Sequence, residues 1–234
     1  MLEPLWEAYA AQVPYARTFV ELSGGALRND HVAFRTLQGR GGLAPVAAFF
    51  ERHGWQRRDA YDFPDAHLDA IYLAKPGEPR VFVSQLREEE LSPRARALVL
   101  QLPEPGPVAG PESFCAPGLP LAEADLLELE RESQYAAWLL LFGREVNHFT
   151  ASVPDVALWQ RRLRDAGVPM KDEIEGAPGA GLRQTATRAA PRTVRLNEGE
   201  RSWPYAYLEI AERNGGFDGF VAGQARQLFE MTRR

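Results

Sequence analysis

The sequence predicts an α+β fold: two βαβββ-type modules forming one cupped mixed sheet around a shared centre, with a helical insertion between them. Three observations predict it. Strand-like stretches in each half of the chain are accompanied by a single helix-forming stretch. The stretch NDHVAFRTL (29–37) has a counterpart in VNHFTASVP (146–154), each with a histidine near its start and a helix after it. No GxGxxG follows any strand, so a doubly wound nucleotide-binding sheet finds no support.

The elements follow in order. The first twenty-odd residues place apolar positions at near-helical spacing, with Pro14 as a break. GGALRND then turns the chain into strand 29–37, rich in β-prone residues. Residues 45–53 (PVAAFFERH) read as a helix that Gly54 can close. Residues 69–76 and 80–87 make hairpin strands joined through Pro76-Gly77. Two helical stretches, 91–102 and 121–143, flank the Pro/Gly-rich loop 103–120, expected to be the least ordered piece. The first pattern then returns with strand 146–154 and an amphipathic helix, 155–167, that Asp155 can cap and Gly167 can end. One or two strands over 182–196, a strand over 205–213 and a closing helix over 219–232 complete the chain. The division expected for a single domain, 1–234, is a first module at 29–90, the insertion at 91–143, a second module at 144–213 and a C-terminal helix at 214–234.

A chain of 234 residues that is 45% apolar has ample material for a core. No apolar run approaches the roughly 18 residues needed to cross a bilayer, and MLEPLWEAYA lacks a basic signal region. A cytoplasmic location without a membrane partner is expected. Only two of the 27 basic residues are lysines, but the net charge is −5 and there is no basic stripe, which argues against a nucleic-acid partner. Cys115 is the only cysteine, so there is no disulfide framework and no thiolate zinc cluster.

Side chains two apart share a strand face. This groups His31, Ala33 and Arg35; His148, Thr150 and Ser152; and Glu209, Ala211 and Arg213. The opposite faces, Val32/Phe34, Phe149/Ala151 and Leu208/Ile210, are apolar and suited to meet helices. Two histidines and a carboxylate are the donor set of a facial-triad metal centre. Histidines at equivalent positions of two modules would converge on the axis between them. Spacing alone leaves alternatives open: a half-buried strand histidine is more often a hydrogen-bonded core residue, and Glu209 can be an exposed carboxylate or a partner of Arg213. His53 reads as a helix-end surface residue, His67 as a loop residue, and Trp159 and Trp203 as packing.

The motifs DHVAFRTL, FVSQL, VNHFT, LRQTAT and YLEIAER, in that order between residues 29 and 213, resemble the 2-oxoadipate dioxygenase/decarboxylase family, related to the vicinal-oxygen-chelate enzymes. The resemblance implies that His31, His148 and Glu209 ligate Fe(II), and that Arg35 holds the distal carboxylate of the substrate. It implies an Fe(II)-dependent dioxygenase that oxidatively decarboxylates and hydroxylates a 2-oxo dicarboxylic acid, 2-oxoadipate giving 2-hydroxyglutarate and CO2 in lysine catabolism. A small 2-oxo acid and dioxygen are then the partners, and the oligomeric state stays open. Gln85 in FVSQL departs from the acid expected there, and the chain is shorter than many members. Gln184, Thr185 or Thr187 in LRQTAT, and Arg213, are further candidates for substrate binding; for Arg213 a buried ion pair that orients a ligand is the rival role. Two other functions remain in play: a Zn(II) or Ni(II) lyase or isomerase of the same superfamily, and a non-catalytic protein that binds a small acid.

Overall fold

Pro14 ends one helix and begins the next, because its ring disfavours a helical residue before it yet fits a first helical position. The two helices are α1 (Leu2–Gln12) and α2 (Pro14–Leu22). The computed structural model describes residues 1–25, 27–221 and 232. Beyond the helices, β1 (Asn29–Leu37) is buried along almost its whole length, as befits a strand with a neighbour on each side.

The first module continues with α3 (Ala44–Arg52), β2 (Gln56–Phe63), β3 (Leu68–Ala74) and β4 (Arg80–Leu86). Strand β4 lies parallel to β1, while β3 and β2 follow antiparallel towards the edge. Strand β2 was not anticipated. Its side chains are exposed except near Phe63, so no apolar alternation marks it.

Between the modules lie α4 (Pro93–Val99), α5 (Glu123–Glu132) and α6 (Gln134–Phe142). The single helix expected over 121–143 is broken at Ser133, whose φ of −145° and ψ of 100° are extended. The Ser133 hydroxyl accepts from the Ala136 N–H and caps α6. Apolar periodicity runs through this break because all of α6 except Leu141 is buried. The Pro/Gly loop is anchored rather than loose: Val108 and Phe114 are buried, and the Phe114 ring lies 4.6 Å from Phe34.

The second module repeats the order with β5 (Val146–Ser152), α7 (Val156–Asp165), β6 (Leu182–Ala186), β7 (Ala190–Leu196) and β8 (Gly199–Arg213). Asp155 caps α7 by accepting from Leu158 N–H, and Gly167 supplies the left-handed φ of 80° after it. Strand β8 starts at Gly199, earlier than expected, and serves three neighbours. Its first half pairs with β7 and its second half with β6, while β5 lies parallel along its other edge. The closing helix expected over 219–232 falls mostly outside the described residues; 219–221 are not helical.

Strands β1 and β5 meet antiparallel in the middle, with His31 opposite Thr150 and Ala33 opposite His148. A shift of 117 residues maps His31 onto His148 and Ala33 onto Thr150, so a local two-fold axis passes between the strands. By the same mapping Phe82, opposite Ala33, occupies the place that Glu209 holds opposite Thr150. The apolar face of the sheet meets helices: Phe149 packs on Trp6 and Tyr9 of α1, and Phe34 on Phe50 of α3. Each such buried side chain contributes about 1.5–3 kcal/mol. That layer leaves the histidine face free to form a site. No helix among the described residues is long and apolar enough to cross a membrane.

Candidate metal centre

Neighbouring strands deliver His31 from β1, His148 from β5 and Glu209 from β8 to one point. All three are buried, and one ligating atom from each lies within 4.8 Å of the others. The two Nε2 atoms are 3.4 Å apart. His31 Nε2 lies 3.7 Å from Glu209 Oε1, and His148 Nε2 lies 3.9 Å from Glu209 Oε2. These are roughly the separations of donors that share one ion at about 2.0–2.2 Å.

The residue before each histidine fixes its ring. His31 Nδ1–H donates to Asp30 Oδ1 at 2.8 Å, and His148 Nδ1–H donates to Asn147 Oδ1 at 3.0 Å. Both Nε2 lone pairs are thereby turned to the common point. Arg213 in turn grips Asp30, with Nε to Oδ2 at 2.6 Å and Nη2 to Oδ1 at 2.9 Å. Phe220 stands edge-on to His31 at 4.8 Å and shields it from solvent.

Electrostatics make the protein alone an uncomfortable host. Burial, then the charges of Glu175 and Asp30, push the Glu209 carboxyl well above the ordinary range. Neither Glu209 oxygen has a hydrogen bond of normal geometry among the described residues. Burial pushes both histidines down, His148 further because His31 and Arg35 add to it. Burial would raise Asp30 too, but hydrogen bonds from His31 and Arg213 outweigh it and hold that carboxylate well below its usual value. Two neutral imidazoles and an unsatisfied carboxylate, aimed at one point, form a donor set that a divalent cation would satisfy. The residues present fit a metal ion.

Arg35 and Gln184 line the same cavity as His31 and His148. Arg35 is buried beside the rings of Tyr135 and Trp138 on α6, at 4.7 and 5.1 Å, and its Nη1 donates to Thr232 Oγ1 at 3.0 Å. The register places Arg35 and Gln184 on opposite sides of the triad along the strands.

The sequence profile of the 2-oxoadipate dioxygenase/decarboxylase family matches residues 3–103 and 118–230. The chain belongs to that family. A curated member, the chloroplastic 2-oxoadipate dioxygenase/decarboxylase of Arabidopsis thaliana, is 28% identical over 87% of this chain and 67% of its own. The crystal structure of a hydroxyglutarate synthase from Oryza sativa in complex with 2-oxoadipate superposes with a TM-score of 0.89 at 26% identity, covering 100% of this chain and 91% of that one. A glyoxalase-superfamily protein from Ralstonia eutropha superposes with a TM-score of 0.77 at 26% identity, over 94% and 84% of the two chains. The family's named members are oxidoreductases, and the paired-module fold is that of the vicinal-oxygen-chelate superfamily.

Three candidate substrate residues sit elsewhere. Thr185 faces the α7 side of the sheet, where its hydroxyl donates to Glu173 O at 2.8 Å; strand alternation sends it away from the cavity that Gln184 lines. Thr187 accepts the Leu208 N–H, a role in closing the sheet. Arg213 is committed to Asp30 and to Gly219 O, so it orients the neighbour of a histidine instead of meeting substrate. Gln85 is structural, accepting from Leu43 N–H and donating to Asp69. The sequence reading missed Asp30 and Asn147. The signal was there: a short polar acceptor precedes each of the two duplicated histidines.

Proposed function

We propose that this protein is an Fe(II)-dependent dioxygenase that converts 2-oxoadipate and O2 into 2-hydroxyglutarate and CO2, a step of lysine breakdown. The observation that carries this reading is the convergence of His31, His148 and Glu209, with both histidines lining the cavity that Arg35 also lines. His31, His148 and Glu209 would hold the metal. Bound iron(II) would supply two-point chelation of a 2-oxo acid and a site at which dioxygen is activated, the 2-oxo acid itself being the net reductant. Arg35, always charged and two pleats along β1 from His31, binds the far carboxylate and sets which carbon faces the centre. Tyr135 and Trp138 hold that guanidinium in place. Asp30 and Asn147 keep both imidazoles in the tautomer that leaves Nε2 unprotonated. Phe220 and Phe82 line the same cavity and keep bulk water away.

Oxygen uptake by anaerobically iron-loaded protein on adding 2-oxoadipate tests the proposal, with 2-hydroxyglutarate and one CO2 per O2 as the expected products. His148→Ala should lose iron and uptake together. Arg35→Ala should keep iron and weaken 2-oxoadipate by about 2–4 kcal/mol, the scale of a buried charge-assisted pair. No uptake with any 2-oxo dicarboxylate would sink the reading.

A further inference from the structure

Gln184 holds an atom that the reaction described above leaves unused. It is 2% exposed, lines the cavity, and sits two register positions beyond the Ala186–Glu209 pair, opposite Ala211. Its Nε2 donates to Glu175 Oε2 at 3.1 Å. Glu175 lies directly across from it: Glu175 N–H donates to Gln184 O at 2.8 Å, and Gln184 N–H to Glu175 O at 3.0 Å. Lys171 pairs with the other Glu175 oxygen, and both side chains are buried. An ionised carboxylate only accepts, so it must be met by the amide NH2; the flipped amide would set oxygen against oxygen. Gln184 Oε1 is left buried without a hydrogen-bond partner among the described residues.

Gln184 thus presents an acceptor to one end of the cavity. On the far side of the triad stand the Arg35 guanidinium and Asn147 Nδ2, the latter buried and without a hydrogen-bond partner among the described residues. An ionised 2-oxo dicarboxylate brings acceptors only. It suits Arg35, Asn147 and a metal, and has no proton to offer Gln184. A 2-hydroxy acid brings one donor, its hydroxyl. We propose that Gln184 Oε1 accepts the C2 hydroxyl of a bound 2-hydroxy acid, with Glu175 and Lys171 as positioning residues that hold the amide in that sense. The site then favours the hydroxy acid over the oxo acid at this one contact, and the inference rests on the reaction proposed above.

Anaerobic calorimetry on iron(II)-loaded protein, with 2-hydroxyglutarate and 2-oxoadipate as probes, tests it. Gln184→Ala is expected to weaken 2-hydroxyglutarate about 3–10-fold, the scale of one neutral hydrogen bond, and to leave the 2-oxoadipate Kd unchanged. Glu175→Gln no longer dictates the sense of the Gln184 amide, so it should lower the same preference without touching the cavity wall. A merely structural role for Glu175 would weaken both acids alike, which overturns its positioning role. Equal change in both Kd values, or none, in Gln184→Ala overturns the hydroxyl contact and leaves the reaction class standing. Failure of the wild type to bind either acid overturns the reaction class and the inference with it.

Discussion

In the first module His31 leans on an ionised carboxylate, Asp30, which Arg213 grips through two N–H bonds and Arg80 approaches at 3.5 Å. In the second, His148 leans on the neutral amide of Asn147. The duplicated backbone kept the geometry of ring and acceptor but not its charge. A second divergence lies at the mapped pair Phe82 and Glu209, where one module supplies an apolar wall and the other a carboxylate. The comparison teaches that the symmetric part of the centre aims the donors, whereas the asymmetric part sets charge and leaves one side open.

The largest expected effect falls on the charged half. Asp30→Asn leaves Arg213 without its carboxylate and should destabilise the metal-free protein by about 3–5 kcal/mol in urea unfolding. Asn147→Ala removes one neutral hydrogen bond and should be milder, about 0.5–1.5 kcal/mol. Equal losses would erase the distinction between the halves. Metal affinity is the next measure: disturbing the residue behind a ligand weakens binding by roughly 10–100-fold, and competition with a chelator should put Asp30→Asn at the upper end.

Acidity sharpens the contrast further. Folded pKa values of His31 and His148 are depressed, so their contribution is present above the ordinary histidine range and lost as pH falls through it. Glu209, raised, works the other way and gains as pH falls. Two histidines outnumber one carboxyl, so metal-free protein should lose stability below about pH 6, by up to roughly 1.4 kcal/mol per pH unit. Asp30, depressed, adds a further loss below about pH 4. Thermal melts in chelator between pH 5 and 8 test this; a midpoint flat or rising toward pH 5 would contradict it. Asn147→Asp, which gives His148 the partner that His31 has, should shrink the decline.

The smallest effect concerns Arg35, whose mapped counterpart is Ser152. Only the first module has α6 behind this position, and Ser133 starts that helix. Ser133→Ala should lower stability by about 1 kcal/mol and raise the 2-oxoadipate KM while leaving bound iron unchanged.

Much of this was legible in the sequence. His31, His148 and Arg35 could be placed on one face because strand alternation survives wherever a strand is flanked by polar and apolar faces, and the family motifs assigned them roles. Glu209 was found the same way, on β8. Strand β2 was not, since an edge strand with solvent on its side chains carries no apolar alternation. Ser133 was missed because a helix buried all round hides its own boundary. Thr185 was misplaced by one position, which in a strand means the opposite face, and Arg213 was drawn to Asp30 by a contact 183 residues away that no local pattern encodes.

The seam between β1 and β5 has a consequence for how the molecule comes into being. Donors 117 residues apart in sequence cannot meet until both modules have docked, so no nascent or half-folded segment offers a competent chelate. Unlike a small zinc-bound domain, this chain cannot use the ion to nucleate its fold. A metal bound there would instead act on a finished structure, adding stability by mass action and fastening one half of the protein to the other.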